Sequence, residues 1–208
     1  VVEGYGLTEA SPVCTCNTLK GENKEGSIGR PLPGTEIEVR SLDRPEQTMP
    51  LGEKGEVCIR GPQVMPGYWQ NETATSETFV DGWLRTGDVG YQDEDGYTFL
   101  VDRLKDVILC SGYNVYPRAI EEALYLHDQI AEVTCIGVPD QYRGQAPKAF
   151  VRLKDGVTDV TAQDLRAFLD DKISRIEMPR EIEIRDELPK TETFVDGWLR
   201  TGDVGYQD

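Results

Sequence analysis

The chain has 208 residues, of which 38% are hydrophobic and 29% charged, an ordinary composition for one or two globular domains with a real core. Its formal net charge of −16 argues against broad binding to nucleic acids or anionic membranes, because phosphate surfaces require clustered Lys and Arg. No apolar run approaches the roughly 20 residues that a membrane-spanning helix needs. The chain begins at Val1 without an initiator Met, so we expect it to be a piece of a longer protein.

The first half of the sequence is typical of strands separated by turns. Alternating polar and apolar residues predict strands at Thr35–Arg40 and Gly55–Arg60. The Gly and Pro content of Gly26–Gly34 (GSIGRPLPG) indicates consecutive turns. Further along, Trp83–Tyr91 is predicted to pair with Tyr97–Asp102 as a hairpin across a DEDG turn.

The second half alternates between helices and strands. Tyr116-Pro117 predicts the start of one helix, and Thr161 with Asp164 resembles a capping arrangement for another. The apolar faces of these helices are expected to contain Ile120, Ala123, Leu124, His127, Leu165, Phe168, Leu169 and Ile173. Strands are predicted at 131–138, 148–153 and 181–185. This alternation predicts a small α+β domain of roughly 80 residues.

The segment ETFVDGWLRTGDVGYQD occurs at 77–93 and again at 192–208, and nothing else in the chain repeats. Only the first copy is followed by its hairpin partner, YTFLVD. Two identical strands cannot occupy one position in a sheet, so we expect the second copy to be loose or to pair at an edge. We interpret it as an accident of gene rearrangement, sequence assembly or cloning, with a swapped or regulatory tail as the alternative.

Five cysteines and one histidine limit the chemistry that the chain can hold. Only Cys14 and Cys16 are close in sequence, and a C-x-C pair with a single histidine is a poor metal site. The odd number of cysteines and their irregular spacing favour reduced thiols and a cytoplasmic location. His127 is expected at the surface near a helix end, so a Ser-His-Asp or Cys-His mechanism has no support.

Three short stretches contain the residue types of a nucleotide site. Tyr5-Gly6-Leu7-Thr8-Glu9 brings together an aromatic ring, a glycine, a hydroxyl group and a carboxylate, which could serve a purine, a phosphate and Mg²⁺. Asp88, after the Thr86-Gly87 bend, could accept two hydrogen bonds from a ribose diol. Arg103 could bind a ribose or a phosphate through its planar guanidinium group. Each stretch alone is also compatible with an ordinary turn or an exposed interdomain linker.

Three further runs of the chain belong with these stretches: GEVCIRGP at 55–62, GYW at 67–69 and SGYNVYP at 111–117. Taken in order, all of them resemble the motifs of the adenylate-forming (AMP-binding) superfamily. That superfamily contains acyl-CoA synthetases, coumarate ligases, luciferases and the adenylation domains of peptide synthetases. The run DGWLRTGD leading into YTFLVDRLKDVI is most similar to bacterial medium- and long-chain fatty acyl-CoA synthetases, and GSIGRPLPGTE and SGYNVYPRAIEE support that subgroup. The resemblance extends from Val1 to about Thr191.

The resemblance implies a reaction and its cofactors. The family joins a carboxylic acid to ATP, giving an acyl-adenylate and pyrophosphate, and then exchanges AMP for the thiol of coenzyme A. ATP, Mg²⁺ and coenzyme A are therefore expected, with a fatty acid or another carboxylic acid as substrate. The resemblance implies no nucleic-acid partner, allows peripheral membrane association of the full-length enzyme, and leaves the oligomeric state open.

The first group of residue roles implied by the resemblance concerns the nucleotide base, the phosphate and the metal. Gly4 and Tyr5 are expected to flank adenine. Thr8 is expected to contact the α-phosphate and Glu9 to bind Mg²⁺, which makes Thr8 and Glu9 the candidate catalytic residues. In physical terms, these roles consist of positioning and charge neutralisation around a phosphoryl group.

The second group concerns the ribose, the hinge and coenzyme A. Asp88 and Arg103 are expected to bind the ribose hydroxyls. Lys105 falls at the hinge about which the family's small domain turns between the two half-reactions. Gly112 and Tyr113 fall where the family lines the coenzyme A tunnel after that rotation.

The implied fold is mixed α/β. Residues 1–104 would form the β-rich C-terminal part of the large domain, 105–191 a small α+β lid, and 192–208 a tail that does not fold independently. The family's Gly/Ser/Thr-rich phosphate loop and most of its acyl pocket would lie upstream of this sequence. Phe194 and Val195 stand where the family has a glycine and its catalytic lysine, shortly after Leu188–Thr191. We therefore expect a fatty acyl-CoA synthetase fragment that is inactive alone.

Three alternatives to this interpretation stay open at the level of sequence. The chain could belong to another adenylate-forming ligase, such as an aryl-CoA ligase. It could be a stand-alone nucleotide- or coenzyme A-binding module without catalysis. It could also be a non-functional product that aggregates through an exposed half-core.

Overall fold

A computed structural model describes residues 2–18, 21 and 23–188, and the backbone of 194–195 and 198–199. The strands are β1 (Gly4–Gly6), β2 (Val13–Cys16), β3 (Arg30–Pro31), β4 (Glu36–Arg40), β5 (Gly55–Arg60), β6 (Phe79–Val80), β7 (Trp83–Gln92), β8 (Thr98–Arg103), β9 (Ile108–Cys110), β10 (Tyr113–Val115), β11 (Ile130–Asp140), β12 (Gly144–Leu153), β13 (Glu181–Ile184), β14 (Phe194–Val195) and β15 (Trp198–Leu199). The helices are α1 (Glu72–Thr78), α2 (Pro117–Tyr125) and α3 (Ala162–Leu169), with 3₁₀ turns at Thr8–Ala10 and Leu104–Asp106. The predicted mixed α/β fold is confirmed. Within the described residues, no helix has the length and apolar character to cross a membrane.

Three larger sheets organise the described strands. The first contains β1, β2 and β3, and the second runs β4-β5-β7-β6 with β8 also paired to β7. The third runs β10-β9-β12-β11, with β13 parallel to β12. The loop before β3 joins the first sheet to the second, because the Ile28 N–H donates to the Thr98 carbonyl at 2.9 Å and the Thr98 N–H donates to the Gly29 carbonyl at 3.2 Å.

The strand predictions for the first half are confirmed. β5 has the predicted bounds, β4 begins one residue inside its predicted range, and β7 and β8 form the predicted antiparallel hairpin. The hairpin turn is closed by Asp93, whose carboxylate accepts from the Tyr97 N–H at 2.9 Å. Buried side chains from the first and second sheets and from the 3₁₀ turn after β1 form one hydrophobic cluster. It contains Ala10, Cys14, Ile37, Val57, Ile59 and Leu84.

The third sheet packs against α2 and α3, as the alternating pattern predicts. Helix α2 starts at Pro117 and buries Ile120, Ala123 and Leu124. His127 lies beyond the end of α2, half-buried, with its ring 4.8 Å from that of Phe168 in an edge-on arrangement. A second hydrophobic cluster, drawn from residues between Ile108 and Ile182, fills the space between the sheet and the helices.

Helix α3 begins with the predicted cap, and it provides a test of the local structure. Thr161 accepts from the Asp164 N–H at 3.2 Å, while the Thr161 N–H donates to the Asp164 carboxylate at 2.9 Å. Replacing Thr161 by Ala is expected to lower the free energy of unfolding by about 1 kcal/mol, because this reciprocal capping is lost. Urea denaturation measures the change, with exposed Thr158→Ala as the matched control. Equal midpoints for the two variants would contradict the prediction.

Helix α1 and the β6–β7 hairpin were not predicted. Helix α1 buries none of its residues, and the Asn71 side chain begins it by accepting from the Ala74 N–H at 3.1 Å. The turn between β6 and β7 is formed by Asp81 and Gly82, with φ of 51° and 78°. Positive φ at both positions is the Asp-Gly turn that matches the twist of a two-residue hairpin.

The duplicated sequence forms the same hairpin in both copies. In the first copy Phe79 pairs with Leu84 and Val80 with Trp83, and β14 and β15 repeat this register in the second. The repeated segment therefore pairs its two strands in the same register in both places. The remainder of the expectation for the tail, that it is loose or pairs at an edge, concerns residues outside the described part of the chain.

Candidate functional site

A cleft of about 1040 Å³ opens where the end of β1, the middle of β7 and the end of β8 lie near one another. It is lined by six of the predicted site residues: Tyr5, Thr8, Glu9, Asp88, Arg103 and Lys105. These residues come from three stretches that are far apart in the sequence. The fold therefore brings together side chains that the sequence could relate only by motif order.

Asp88 contacts two other residues of the cleft, Tyr5 and Arg103. Its carboxylate accepts from the Tyr5 hydroxyl at 2.5 Å and lies 3.6 Å from the Arg103 Nε. Asp88 and Arg103 stand directly opposite each other on the paired strands β7 and β8. Burial, followed by the hydrogen bond and charge of Asp88, raises the pKa of Tyr5 well above its ordinary value, so the phenol stays protonated as a donor.

Glu9 also lines the cleft, on the 3₁₀ turn that follows β1. The approach to this turn requires Gly6, because a Cβ there would stand 1.6 Å from the Pro12 carbonyl oxygen. The Glu9 carboxylate accepts from the Tyr68 hydroxyl at 2.9 Å, and the Glu9 carbonyl accepts from the Met65 N–H at 2.8 Å. A side chain of the 67–69 GYW run thus holds the predicted metal ligand.

The donor chemistry at Glu9 is compatible with Mg²⁺. In the described part of the chain, no three His, Cys, Asp or Glu side chains gather as a metal site of their own. Mg²⁺ commonly binds through one or two carboxylates, phosphate oxygens of the substrate and water. The Glu9 carboxylate, as one protein ligand beside phosphate oxygens and water, fits that mode of binding.

The remaining predicted site residues do not line this cleft. Gly4 lies on β1, and a Cβ added at this position would lie nearest to the Thr15 carbonyl oxygen on β2. Gly112 and Tyr113 lie at the tip of the β9–β10 hairpin, and Tyr113 is 65% exposed. Their role in a coenzyme A tunnel, which requires a rotated lid, stays a prediction.

Lys105 lies on the 3₁₀ turn between the second and third sheets. It lines both the main cleft and a smaller one of about 400 Å³ on the α2 side. Contacts that cross this junction include the following two. The Arg118 N–H at the start of α2 donates to the Asp102 carboxylate at 3.0 Å, and the Lys54 Nζ lies 4.6 Å from the centre of the Tyr116 ring. The hinge role of Lys105 stays a prediction.

Sequence reasoning missed three charged residues that line the cleft: Glu56, Glu77 and Arg85. Glu56 is 2% exposed and its carboxylate lies 2.8 Å from the Arg85 guanidinium. The sequence feature that could have pointed to Glu56 is a glutamate within a strand that is buried from Gly55 to Ile59. A buried carboxylate in such a strand requires a specific partner.

Cys58, on the same strand, predicts a loss of stability at alkaline pH. Burial, with a smaller contribution from Glu56, raises the pKa of the Cys58 thiol from 9.0 to about 12. Below pH 9 the thiol is protonated in both states. Above it the unfolded chain ionises first, so the free energy of unfolding is expected to fall by up to about 1.4 kcal/mol per pH unit until the folded pKa is reached.

Urea denaturation of the chain and of Cys58→Ala between about pH 8 and about pH 10.5 tests this expectation. The variant should show a shallower decline than the parent chain. Parallel declines in the two proteins would contradict the assignment.

Comparison with known proteins relates this architecture to a family. The AMP-binding enzyme family model matches residues 1–69, and the AMP-binding enzyme C-terminal domain model matches residues 119–194. The long-chain-fatty-acid–CoA ligase of Bacillus subtilis is 49% identical over 191 residues, which is 92% of this chain and 34% of that protein. The chain therefore spans about a third of the length of the curated relatives it matches.

Solved structures give the same relationship at the level of the fold. ATP-bound MatB from Rhodopseudomonas palustris is 32% identical with a TM-score of 0.86, over 92% of this chain and 38% of that one. The o-succinylbenzoate CoA synthetase of Bacillus subtilis, in complex with its acyl-adenylate intermediate, is also 32% identical, with a TM-score of 0.79. That match covers 91% of this chain and 38% of the synthetase.

Proposed function

The chain belongs to the AMP-binding, adenylate-forming enzyme family, and on that premise we propose that it is the adenosine-binding part and the lid of a fatty acid–CoA ligase. The observation that carries the proposal is the single cleft shared by Tyr5, Thr8, Glu9, Asp88 and Arg103. The 49% identity with a long-chain-fatty-acid–CoA ligase supports a fatty acid as the substrate. The full reaction would activate this acid with ATP and transfer it to coenzyme A.

Each residue of the cleft has a role that its chemistry supports. Asp88 accepts hydrogen bonds from the ribose hydroxyls, and Arg103 holds the same sugar from the opposite strand. The Tyr5 ring offers an apolar face to adenine, and the exposed Thr8 hydroxyl donates to the α-phosphate. Glu9 would hold Mg²⁺, which when bound neutralises charge on the phosphates.

The proposed division of the chain places residues 1–104 in the large domain and 105–191 in the lid. Two separate hydrophobic clusters support it, one within residues 10–84 and the other within 108–182. Lys105 lies between them, which suits a hinge. Rotation of the lid about this point would bring Gly112 and Tyr113 from the exposed β9–β10 hairpin towards the cleft.

Calorimetric titration with AMP and with coenzyme A tests the proposed function. We expect AMP to bind the chain with one-site stoichiometry, because the ribose end of the cleft is built from described residues. An assay for acyl-CoA formation should show no product above background from these 208 residues, since the sequence has no Gly/Ser/Thr-rich loop and Phe194 and Val195 stand at the expected lysine position. Absence of AMP binding, or robust turnover, would overturn the proposal.

An aryl-acid ligase is the second candidate. The o-succinylbenzoate CoA synthetase matches the fold over most of the chain, but its identity is 32%, against 49% for the fatty-acid ligase. The charged side chains that line the main cleft, Asp88 and Arg103 among them, suit the ribose and phosphates of a nucleotide, and we propose that the acyl group binds elsewhere. Sequence similarity therefore favours a fatty acid as the acid substrate.

The second copy of the repeated segment is proposed to have no role in folding. The first copy already occupies the position between β5 and β8. Removing residues 192–208 is therefore expected to leave the urea midpoint of the remainder unchanged. A large loss of stability would instead support a tail that is integrated into the fold.

A further inference from the structure

The strand that carries Asp88 contains a β-bulge at the cleft. On β5 and β7, Glu56 pairs with Val89 and Cys58 pairs with Arg85, so the single residue Val57 stands opposite the three residues 86–88. Gly87 permits this geometry with a φ of +73°. Bulges bend a strand and redirect its side chains. This bulge ends at Asp88, the residue that contacts both Tyr5 and Arg103.

Glu56 holds the bulge from the neighbouring strand. One carboxylate oxygen accepts from the Gly87 N–H at 3.0 Å, and the other accepts from the Arg85 Nε at 2.8 Å. Glu56 is 2% exposed, so both interactions are shielded from water. A buried carboxylate strongly favours a conformation in which its charge is paired and hydrogen-bonded. The two partners of Glu56 flank Thr86: Arg85 lies at the start of the bulge and Gly87 lies within it.

Thr86 holds the same bulge from within. Its hydroxyl donates to the Val57 carbonyl at 2.7 Å and accepts from the Asp88 N–H at 3.1 Å. Residues 87 and 88 have no paired residue on β5, and the side chains of Glu56 and Thr86 accept from the N–H groups of Gly87 and Asp88 respectively. The orientation of Asp88 therefore depends on these two side chains.

We infer that Glu56, with Arg85 and Thr86, is a positioning residue that fixes the Asp88 carboxylate for recognition of a ribose diol. The inference rests on the proposed function for its ligand, but the network itself lies in the described residues. Glu56 does not need to contact the nucleotide. Its effect should therefore appear only when the ligand carries the hydroxyl groups that Asp88 binds.

Comparison of AMP with 2′,3′-dideoxy-AMP, by calorimetry on the full chain, tests the inference. We expect Glu56→Ala to weaken AMP binding about 10-fold or more, as loss of a charged hydrogen bond at Asp88 would, and to leave the affinity for the dideoxy nucleotide unchanged. Combining Glu56→Ala with Asp88→Ala should weaken AMP binding no further than Asp88→Ala alone, because the two residues act in series. Equal weakening of both nucleotides, or additive losses, would overturn it.

Amide hydrogen exchange provides a second measurement that does not require a bound nucleotide. Thr86→Val is expected to accelerate exchange at Gly87 and Asp88 by about 10-fold or more relative to the other strand amides of the same variant, and Thr86→Ser should restore the slow rates. Glu56→Gln, which keeps an acceptor oxygen but loses the charge, should give an intermediate rate at Gly87. Unchanged exchange in both Thr86→Val and Glu56→Ala would overturn the positioning role of Glu56 and Thr86. Absence of AMP binding would instead refute the proposed function, and the exchange measurement would still test the positioning role.

Discussion

Asp88→Ala is expected to weaken the binding of AMP by about 10- to 100-fold, because it removes charged acceptors for the ribose hydroxyls. The Asp88 carboxylate is the point at which β1, β7 and β8 meet, through its contacts with Tyr5 and Arg103. Calorimetric titration of the parent chain and the variant measures the loss. The conservative variant Asp88→Asn keeps the shape but not the charge, so its affinity should fall between the two.

The matched control for this prediction is Asp159→Ala, at an exposed carboxylate on the loop before α3. It changes the net charge by the same amount but lies outside the cleft. Its AMP affinity should equal that of the parent chain. Equal affinity of Asp88→Ala and Asp159→Ala would show that Asp88 does not bind the nucleotide.

Gly29→Ala is expected to destabilise the fold by roughly 3–5 kcal/mol, the largest effect on stability predicted for a single residue here. Gly29 has a φ of +86°, and a Cβ at this position would stand 2.2 Å from the backbone carbon of Cys16. The neighbouring Ile28 and the Gly29 carbonyl join the first sheet to Thr98 at the start of β8. A shift of this loop would therefore disturb the connection between two sheets.

Gly34→Ala provides the control for the steric part of that prediction. Gly34 has a similar φ of +82°, but a Cβ there would have no neighbour closer than 3.8 Å. Its replacement should cost about 1 kcal/mol, from the backbone conformation alone. Urea denaturation measures both variants, and comparable losses for the two would contradict the close approach at Gly29.

The sequence predicted those elements whose patterns are local. β5 alternates in a way that fixes its bounds, Pro117 marks the start of α2, and Thr161 with Asp164 caps α3. The FVDGWL hairpin has the same register in both copies. By contrast, α1 has no apolar face to provide a period, and its start depends on the Asn71 cap.

The sequence predicted residues of the candidate site but not how they are arranged in space. The motif resemblance selected Tyr5, Asp88 and Arg103, which the fold places in contact. It did not reveal the bulge at residues 86–88, because a bulge is a mismatch between two strands and has no period in either one. Glu56 was overlooked for the same reason, since its partners become visible only when β5 and β7 are paired.

The most direct test of the central claim, that separate stretches of the chain surround one adenosine, is a titration with AMP followed by amide NMR spectroscopy. The amide signals of Gly6, Thr8, Gly87 and Arg103 are predicted to shift together along a single binding curve, because they surround the same cleft. Signals at the β9–β10 hairpin should stay in place. Shifts confined to one of these stretches, or curves with different midpoints, would contradict a shared nucleotide site.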